Sequence, residues 1–228
     1  MPEDSTTVWR YMDFTKFVDL LSKKSLFFVK STKFEDPFEG LYPTKITAGN
    51  LDFHKEVAKI REFNFVNCWH INDHESAAMW NLYLKTTEGV AVKTTVSGIK
   101  SAFSSCQEEI LIGKVRYWDY ENGDPDELYS NAANGLGGTT INPIIYKRKS
   151  FEHENEMRLI YSKFNMHDME NPPKENGFSI SADLNELIQE VYIAPYAPGW
   201  FKALVADVMK TYGLNKPSVQ SNLYGNPL

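Results

Sequence analysis

One stretch of the sequence decides where a strand and a charged site meet: Lys147-Arg148-Lys149-Ser150-Phe151-Glu152-His153-Glu154-Asn155-Glu156-Met157-Arg158, the densest run of ionisable residues in the chain. It runs into an apolar segment, which predicts a strand over residues 157–161. Glu154 and Glu156 are two residues apart, so on an extended strand they share one face, and Arg158 continues it. Two carboxylates that face the same way repel. One is therefore expected to have a raised pKa or to be held by an arginine.

A Glu-x-Glu pair on a strand has two interpretations. In the catalytic one, one carboxylate grips a ribose hydroxyl and steadies an oxocarbenium-like centre, while the other orients the acceptor. In the structural one, the pair belongs to an edge-strand salt ladder in which Glu156 pairs with Arg158. The local sequence leaves both open.

Outward from this stretch, strand-like and helix-like segments alternate without an internal repeat. Helices are predicted after the caps Asp13 and Ser76, from the Gly123-Asp124-Pro125 turn through Tyr129, and over residues 200–212. Strands are predicted at 8–11, 26–29, 63–71, 89–95, 110–118, 157–161, 178–180 and 191–194. This order predicts an α+β fold with a mixed, mostly antiparallel central sheet flanked by helices. We expect a single domain over residues 1–228, with a loosely attached tail at 216–228.

Composition excludes several classes of protein. The chain has 228 residues, 24 basic against 30 acidic side chains, a net charge of −6 and no long Lys/Arg run, so no duplex DNA partner is expected. A positively charged leader and an apolar stretch of 18 residues are lacking, so we expect no membrane partner. Two cysteines, Cys68 and Cys106, are typical of a reducing compartment and favour a cytoplasmic location. The spacing of Cys68, His70 and His74 does not form a compact metal motif, so no metal cofactor is expected.

A second acidic segment is Phe34-Glu35-Asp36-Pro37-Phe38-Glu39-Gly40. It is either a site loop that orients a substrate hydroxyl or a cation, or a solvated turn in which Asp36 accepts backbone amides. We expect an ordered turn with Phe38 pointing inwards and a positive φ at Gly40. The glycines at 134–138 indicate a flexible loop rather than a phosphate cradle.

Several blocks together resemble the bacterial and phage family known as domain of unknown function 2971: Trp9-Arg10-Tyr11, Asp36-Pro37-Phe38-Glu39-Gly40, Cys68-Trp69-His70 with Glu75-Ser76 and Met79-Trp80, Gly89-Val90-Ala91-Val92, Glu154-Asn155-Glu156-Met157-Arg158, Ile193-Ala194-Pro195 and Ser221-Asn222-Leu223. The resemblance covers nearly the whole chain, and that family carries no established reaction.

The order of parts also resembles the layout of ADP-ribosyltransferases. That resemblance implies that NAD is the substrate, that Arg10 binds it, and that Trp9 or Tyr11 stacks on one of its rings. Ser31 would stand for the polar Ser-Thr element of that family, although it lies nearer Arg10 than usual. Glu156 would be the catalytic carboxylate and Glu154 its partner. Further pocket residues would be Asp36, Glu39, His70 and Arg158.

Three functions therefore remain as hypotheses. The first is an NAD-dependent ADP-ribosyltransferase-like enzyme, in a toxin or phage-defence setting, that modifies an unknown macromolecular target. The second is a non-catalytic module that binds a nucleotide or a partner protein in the same pocket. The third is a hydrolase or nuclease that uses Asp36, Glu39 and Glu156 with a divalent cation.

Overall fold

The computed structural model describes residues 1–42, 51–124 and 142–225. The chain divides into two compact units, each built from separate segments of sequence. Unit one consists of residues 28–68 and 108–178, and unit two of residues 2–27, 69–107 and 179–228. This division does not test the single domain predicted over residues 1–228, which stays a prediction.

The strands of the described residues are β1 Thr7–Asp13, β2 Ser25–Lys30, β3 Asn64–Ile71, β4 Gly89–Thr95, β5 Ile110–Lys114, β6 Arg116–Trp118, β7 Tyr146–Arg148, β8 Glu156–Ser162, β9 Gly177–Ser181, β10 Glu190–Ile193 and β11 Ser218–Gln220. The α-helices are α1 Phe14–Lys23, α2 Leu51–Arg61, α3 Ala77–Tyr83, α4 Val96–Ala102, α5 Leu184–Leu187 and α6 Gly199–Thr211. Short 3-10 helices cover Ser31–Lys33, Asn142–Ile145, Lys149–Glu154 and Met166–Asp168. The predicted α+β class with mostly antiparallel pairing is confirmed.

Unit two is built around β4, a strand that is buried on both faces over most of its length. β4 pairs antiparallel with β1 and with β10, and β10 pairs parallel with β11. The residues Val90, Ala91 and Val92 of β4 are fully buried, which explains why this strand is a continuous apolar run. α1 begins at the predicted cap, because the Asp13 carboxylate accepts the amide of Lys16 at 2.8 Å.

Unit one carries the charged stretch. β8 pairs antiparallel with β5, with Leu159 opposite Ile112 and Arg158 opposite Gly113. β2 pairs antiparallel with the first half of β3, and the short strands β6 and β7 pair parallel. An apolar cluster that includes Val66, Trp118, Ile144, Tyr146 and Ile160 fills the unit.

The structure departs from the predicted element boundaries in a few places. The strand expected at 110–118 is two strands, β5 and β6, which pair with different partners: β5 with β8, and β6 with β7. Within the segment predicted as a tail, β11 pairs with β10, and Ser221 donates its amide to the Ile193 carbonyl at 3.1 Å. The loose attachment of residues 216–228 stays a prediction. The predicted helix from Pro125 through Tyr129 and the glycine loop at 134–138 lie outside the described residues. No helix of the described ranges has the length and apolar character needed to span a membrane.

Candidate functional site

Unit one contains a cluster of buried charged side chains, which we call the ionic cluster: Glu39, Lys147, Glu154, Glu156 and Arg158. Four of the five come from the stretch at 147–158, and Glu39 comes from the acidic turn. Charged side chains are rarely buried unless they are paired, because removal from water costs several kcal/mol per ion. The contacts within the cluster therefore decide both its stability and its chemistry.

Lys147 stands among the three carboxylates of the cluster. Its Nζ lies 2.8 Å from Glu154 Oε2, 3.1 Å from Glu39 Oε1 and 3.6 Å from Glu156 Oε2. In β7, Lys147 is buried and its neighbour Arg148 is partly exposed. A single ammonium group thus bridges three carboxylates that would otherwise repel one another.

Arg158 is the second cation of the cluster. Its Nε and Nη2 donate to the two oxygens of Glu156 at 3.0 and 2.9 Å, a bidentate pair. Nη2 also donates to Glu39, and Nη1 donates to the carbonyl of Ile144. The pairing of Glu156 with Arg158 that the sequence suggested is therefore present, and it extends to the acidic turn 119 residues away.

The two glutamates meet through a turn and not through one strand face. Glu154 ends the 3-10 helix Lys149–Glu154, Asn155 takes a left-handed conformation with φ of 37°, and only Glu156 belongs to β8. The expected arrangement of Glu154 and Glu156 on one strand is therefore wrong. Asparagine tolerates positive φ better than most residues, so the turn brings both carboxylates to Lys147 at low cost in strain.

The acidic turn is ordered and connected to the same stretch. The Asp36 carboxylate accepts the amide of Phe38 at 3.1 Å and receives Nε and Nη2 of Arg148, both at 3.0 Å. Gly40 has φ of 77°, as predicted from the turn. The expectation that Phe38 points inwards is wrong: its side chain is 47% exposed, because the ring covers the Arg148 guanidinium at 4.7 Å.

Aromatic rings surround the cations of the site. Phe34 lies 4.8 Å from the Arg158 guanidinium, and Phe151 lies 4.9 Å from Lys147 Nζ and 5.4 Å from Arg148. Such contacts stabilise cations that have lost part of their hydration. Because the cluster is buried, electrostatic interactions inside it are also stronger than they would be in water.

The environments of Glu154 and Glu156 shift their pKa values in opposite directions. Burial raises the pKa of Glu154, and the hydrogen bond from Lys147 offsets this only in part. Burial alone would also raise the pKa of Glu156, but the charge and hydrogen bonds of Arg158 and the charge of Lys147 outweigh it and hold that pKa below its usual value. The Cys68 side chain contributes in the same direction. Two carboxyl groups with divergent pKa values can divide the roles of proton acceptor and fixed negative charge.

Tyr117 holds the start of β8 in place. Its hydroxyl accepts the amide of Glu156 at 2.8 Å, and burial raises the pKa of the phenol. The backbone of Glu156 is therefore anchored as firmly as its side chain.

The residues predicted at the first strand lie in unit two. Trp9 and Tyr11 are 2% and 5% exposed, with their rings 6.3 Å apart on one face of β1. Trp9 donates to the carbonyl of Asn72, and the Tyr11 hydroxyl accepts the amide of Ser76. Because side chains alternate along a strand, Arg10 lies on the opposite face of β1 from Trp9 and Tyr11. The predicted roles of these three residues in NAD binding stay predictions.

The remaining predicted site residues, His70 and Ser31, have structural contacts. His70 is buried in unit two, with its ring 6.4 Å from that of Tyr11. Ser31 is buried in unit one, where its hydroxyl donates to the carbonyl of Arg61 at 2.7 Å. Their predicted roles in ligand binding stay predictions. The structure does bring together Asp36, Glu39, Glu154, Glu156 and Arg158, all of them in unit one.

Sequence reasoning missed Lys147, Arg148 and Tyr117. The first two were visible as members of the densest ionisable run, but their partners Glu39 and Asp36 are more than 100 residues away. Tyr117 gave no local signal. Across the described ranges, no group of three or more histidine, cysteine or acidic side chains is arranged to hold a metal ion.

Comparisons with known proteins add little to this geometry. No family model matches the chain, so membership of domain of unknown function 2971 is not confirmed. No curated protein matches it either. Among solved structures, the chain is similar to Thermus sp. 2.9 DarT in complex with carba-NAD+, with 10% identity, a TM-score of 0.42, and 96% of each chain covered. A second structure, Thermus sp. 2.9 DarT in complex with NAD+, has 7% identity and a TM-score of 0.44, covering 98% of this chain and 99% of that one. Since TM-scores below 0.5 do not establish a common fold, function is inferred from the site alone.

Proposed function

We propose that the protein is an NAD-dependent ADP-ribosyltransferase-like enzyme whose reaction centre is the pair Glu154 and Glu156. One observation carries the proposal: the carboxyl groups of Glu154 and Glu156 lie in one buried cluster, 2.8 and 3.6 Å from the same Lys147 Nζ. Their surroundings shift the two pKa values in opposite directions. This is the arrangement that separates an acid or base from an ionised carboxylate in glycosyl chemistry.

The chemistry assigned to each group follows from its charge state. As the bond between the ribose and nicotinamide breaks, nicotinamide leaves with the bonding electrons and positive charge develops on the sugar. The ionised Glu156 carboxylate stabilises this charge electrostatically. Glu154, with its raised pKa, accepts the proton of the acceptor nucleophile as the new glycosidic bond forms. The aromatic rings around the cluster supply apolar walls for a flat ligand.

A second candidate is a non-catalytic nucleotide- or protein-binding module, and a specific observation favours it. Arg158 engages both oxygens of Glu156, so part of the negative charge needed at the sugar is already neutralised. The third hypothesis, a metal-dependent hydrolase or nuclease, is not favoured. Asp36, Glu39 and Glu156 are each paired with an arginine, and a cation would have to displace it.

Glu156→Gln separates the two candidates. The substitution keeps shape and removes the charge, so a transferase should lose about 10²-fold or more in the rate of nicotinamide release, with NAD affinity nearly unchanged. The measurements are a nicotinamide-release assay and calorimetry with NAD, at a temperature where both proteins are folded. Glu152→Gln, an exposed position in the same stretch, is the matched control and should behave as wild type.

The outcomes are distinct. NAD binding without nicotinamide release by the wild-type protein would favour the binding module. Absence of NAD binding at millimolar concentration would reject NAD as the ligand of either candidate. The transferase hypothesis also includes an unknown macromolecular acceptor and a toxin or phage-defence setting. If the protein is a transferase, identification of the targets that it modifies would test both.

A further inference from the structure

Two buried hydrogen-bond donors in unit one have no partner among the described residues: Trp118 Nε1 and Tyr120 Oη. The Trp118 side chain is 6% exposed, so water does not reach its nitrogen from the bulk. Buried polar groups in folded proteins are nearly always hydrogen-bonded, and each exception calls for a specific explanation. Two exceptions in neighbouring side chains point to an acceptor that these parts of the protein do not supply.

These donors belong to a chain of contacts that reaches the surface. The rings of Trp118 and Tyr120 are 5.7 Å apart, and Tyr120 meets Phe38 edge-on at 6.1 Å. Phe38 in turn covers the guanidinium of Arg148. We call Trp118, Tyr120 and Arg148 the donor set, with Phe38 in contact with the last two.

Arg148 adds a third unused donor. Its Nε and Nη2 are engaged by Asp36, whereas Nη1 makes no hydrogen bond to any part of the chain that the structure describes. The Arg148 side chain is 37% exposed, so a ligand can approach it from solvent.

The chemistry of the donor set selects an acceptor-only ligand. The carboxylates that act on Tyr120 are Asp36 and Glu39, and both are already paired with arginines. The N–H groups of Trp118 and Arg148 can only donate, and the Tyr120 hydroxyl can donate as well as accept, so a ligand with several acceptor atoms fits the set best. Burial raises the pKa of Tyr120, so its hydroxyl stays protonated and able to donate at neutral pH. Phosphate oxygens accept hydrogen bonds without donating any, and arginine is well suited to them.

We propose that Tyr120, Trp118 and Arg148 bind the pyrophosphate of a nucleotide, beside the ionic cluster that would act on its ribose. The proposal rests on the proposed function for the identity of that nucleotide. This site lies in the same unit as Glu154 and Glu156. The sequence had instead suggested Arg10, in unit two, as the NAD-binding residue.

Tyr120→Phe tests the donor directly, because it removes only the hydroxyl. Loss of a hydrogen bond to a charged group should weaken binding of ADP-ribose and of inorganic pyrophosphate by about 10-fold or more. Binding of nicotinamide, which has no phosphate, should not change. The melting temperature of the free protein should stay equal or rise, because the variant deletes an unpaired buried donor. Arg148→Lys keeps the charge but loses the planar guanidinium with its several N–H donors. It should weaken the binding of both phosphate probes in the same way.

Tyr146→Phe is the matched control in the same unit. The Tyr146 hydroxyl accepts from Arg116 Nη1 at 3.4 Å, so this variant should melt slightly earlier and bind both phosphate probes like wild type. Calorimetry and thermal melting on the full chain give all of these values.

Three results would overturn the inference: wild-type protein that binds neither phosphate probe at millimolar concentration, unchanged ADP-ribose binding by Tyr120→Phe, or a fall in its melting temperature, which would reveal an ordered water as the partner. Failure of the enzymatic proposal looks different. ADP-ribose binding that depends on Tyr120, without nicotinamide release, keeps the phosphate site and rejects the transferase. Nicotinamide release at the wild-type rate by Tyr120→Phe keeps the transferase and rejects the phosphate site.

Discussion

The interiors of the two units differ in the polar and charged side chains that they bury. Among the described residues, the buried charged side chains are Lys30, Asp36, Glu39, Lys147, Glu154, Glu156 and Arg158, and all of them belong to unit one. The buried polar residues in the described part of unit two are Ser25, His70, Thr94 and Ser221, set among aliphatic and aromatic side chains.

This difference bears on function. A buried ion pair is rarely more stable than a well-packed apolar pair of similar volume, because desolvation offsets the Coulombic attraction. Unit two is therefore built as an apolar scaffold, and unit one keeps charges where they cost stability. Perturbed ionisable groups concentrate at functional sites, although structural networks also contain them. The candidate site therefore belongs to unit one, and three experiments test the contrast between the units.

Removal of Arg158 should have the largest effect. Arg158→Met leaves Glu156 and Glu39 without their main cation, and breaking a buried ion pair in this way costs about 3–5 kcal/mol of unfolding free energy. Lys93→Met in unit two is the control, since Lys93 and Glu190 form a partly exposed pair that should contribute about 1 kcal/mol or less. Urea denaturation measures both.

A double variant tests whether the loss comes from the uncompensated charge of Glu156. Arg158→Met combined with Glu156→Gln should recover part of the loss, because no ionised Glu156 is left uncompensated. Equal losses for Arg158→Met and Lys93→Met would contradict the contrast between the units.

Removal of the Asp36 carboxylate should have an intermediate effect. Asp36→Ala deletes the hydrogen bond from the Phe38 amide and both bonds from Arg148, at a cost of about 1.5–3 kcal/mol. The loss should be smaller than for Arg158, since Arg148 is partly exposed and becomes hydrated. Glu35→Ala, at the exposed neighbouring position, should melt like wild type. Unchanged melting of Asp36→Ala together with loss of ligand binding would make the turn a binding element with no structural role.

The smallest effect is a dependence of stability on pH. The pKa of Glu156 is lowered in the folded protein, so its contribution is present above the unfolded pKa and is lost as pH falls through the folded pKa. Protonated Glu156 resembles glutamine, so the difference in stability between wild type and Glu156→Gln should shrink on acidification.

Glu190→Gln in unit two provides the control for this series. A constant difference between wild type and Glu156→Gln from neutral to strongly acidic pH would show that the charge of Glu156 does not stabilise the ionic cluster. Chemical denaturation at a series of pH values measures it.

Local pattern predicted much of the scaffold from the sequence. The apolar run of β4 and the side-chain caps at Asp13 and Ser76 depend on residues a few positions apart, and all of them are present. The α+β class followed from the order of such segments. Local rules work here because strand periodicity and helix capping depend on residues that are only a few positions apart in the sequence.

The site depended on contacts that local pattern does not contain. The sequence by itself marked the stretch at 147–158 and the acidic turn as rich in charge, and suggested the pair of Glu156 with Arg158. Only the tertiary structure joined the two segments, through Arg148 with Asp36, 112 residues apart, and Arg158 with Glu39, 119 residues apart. It also replaced a shared strand face by the turn at Asn155, which brings Glu154 and Glu156 to Lys147. The physical reason is that a buried charge is stabilised by whichever opposite charge packing brings within a few ångströms, and separation along the chain does not limit that choice.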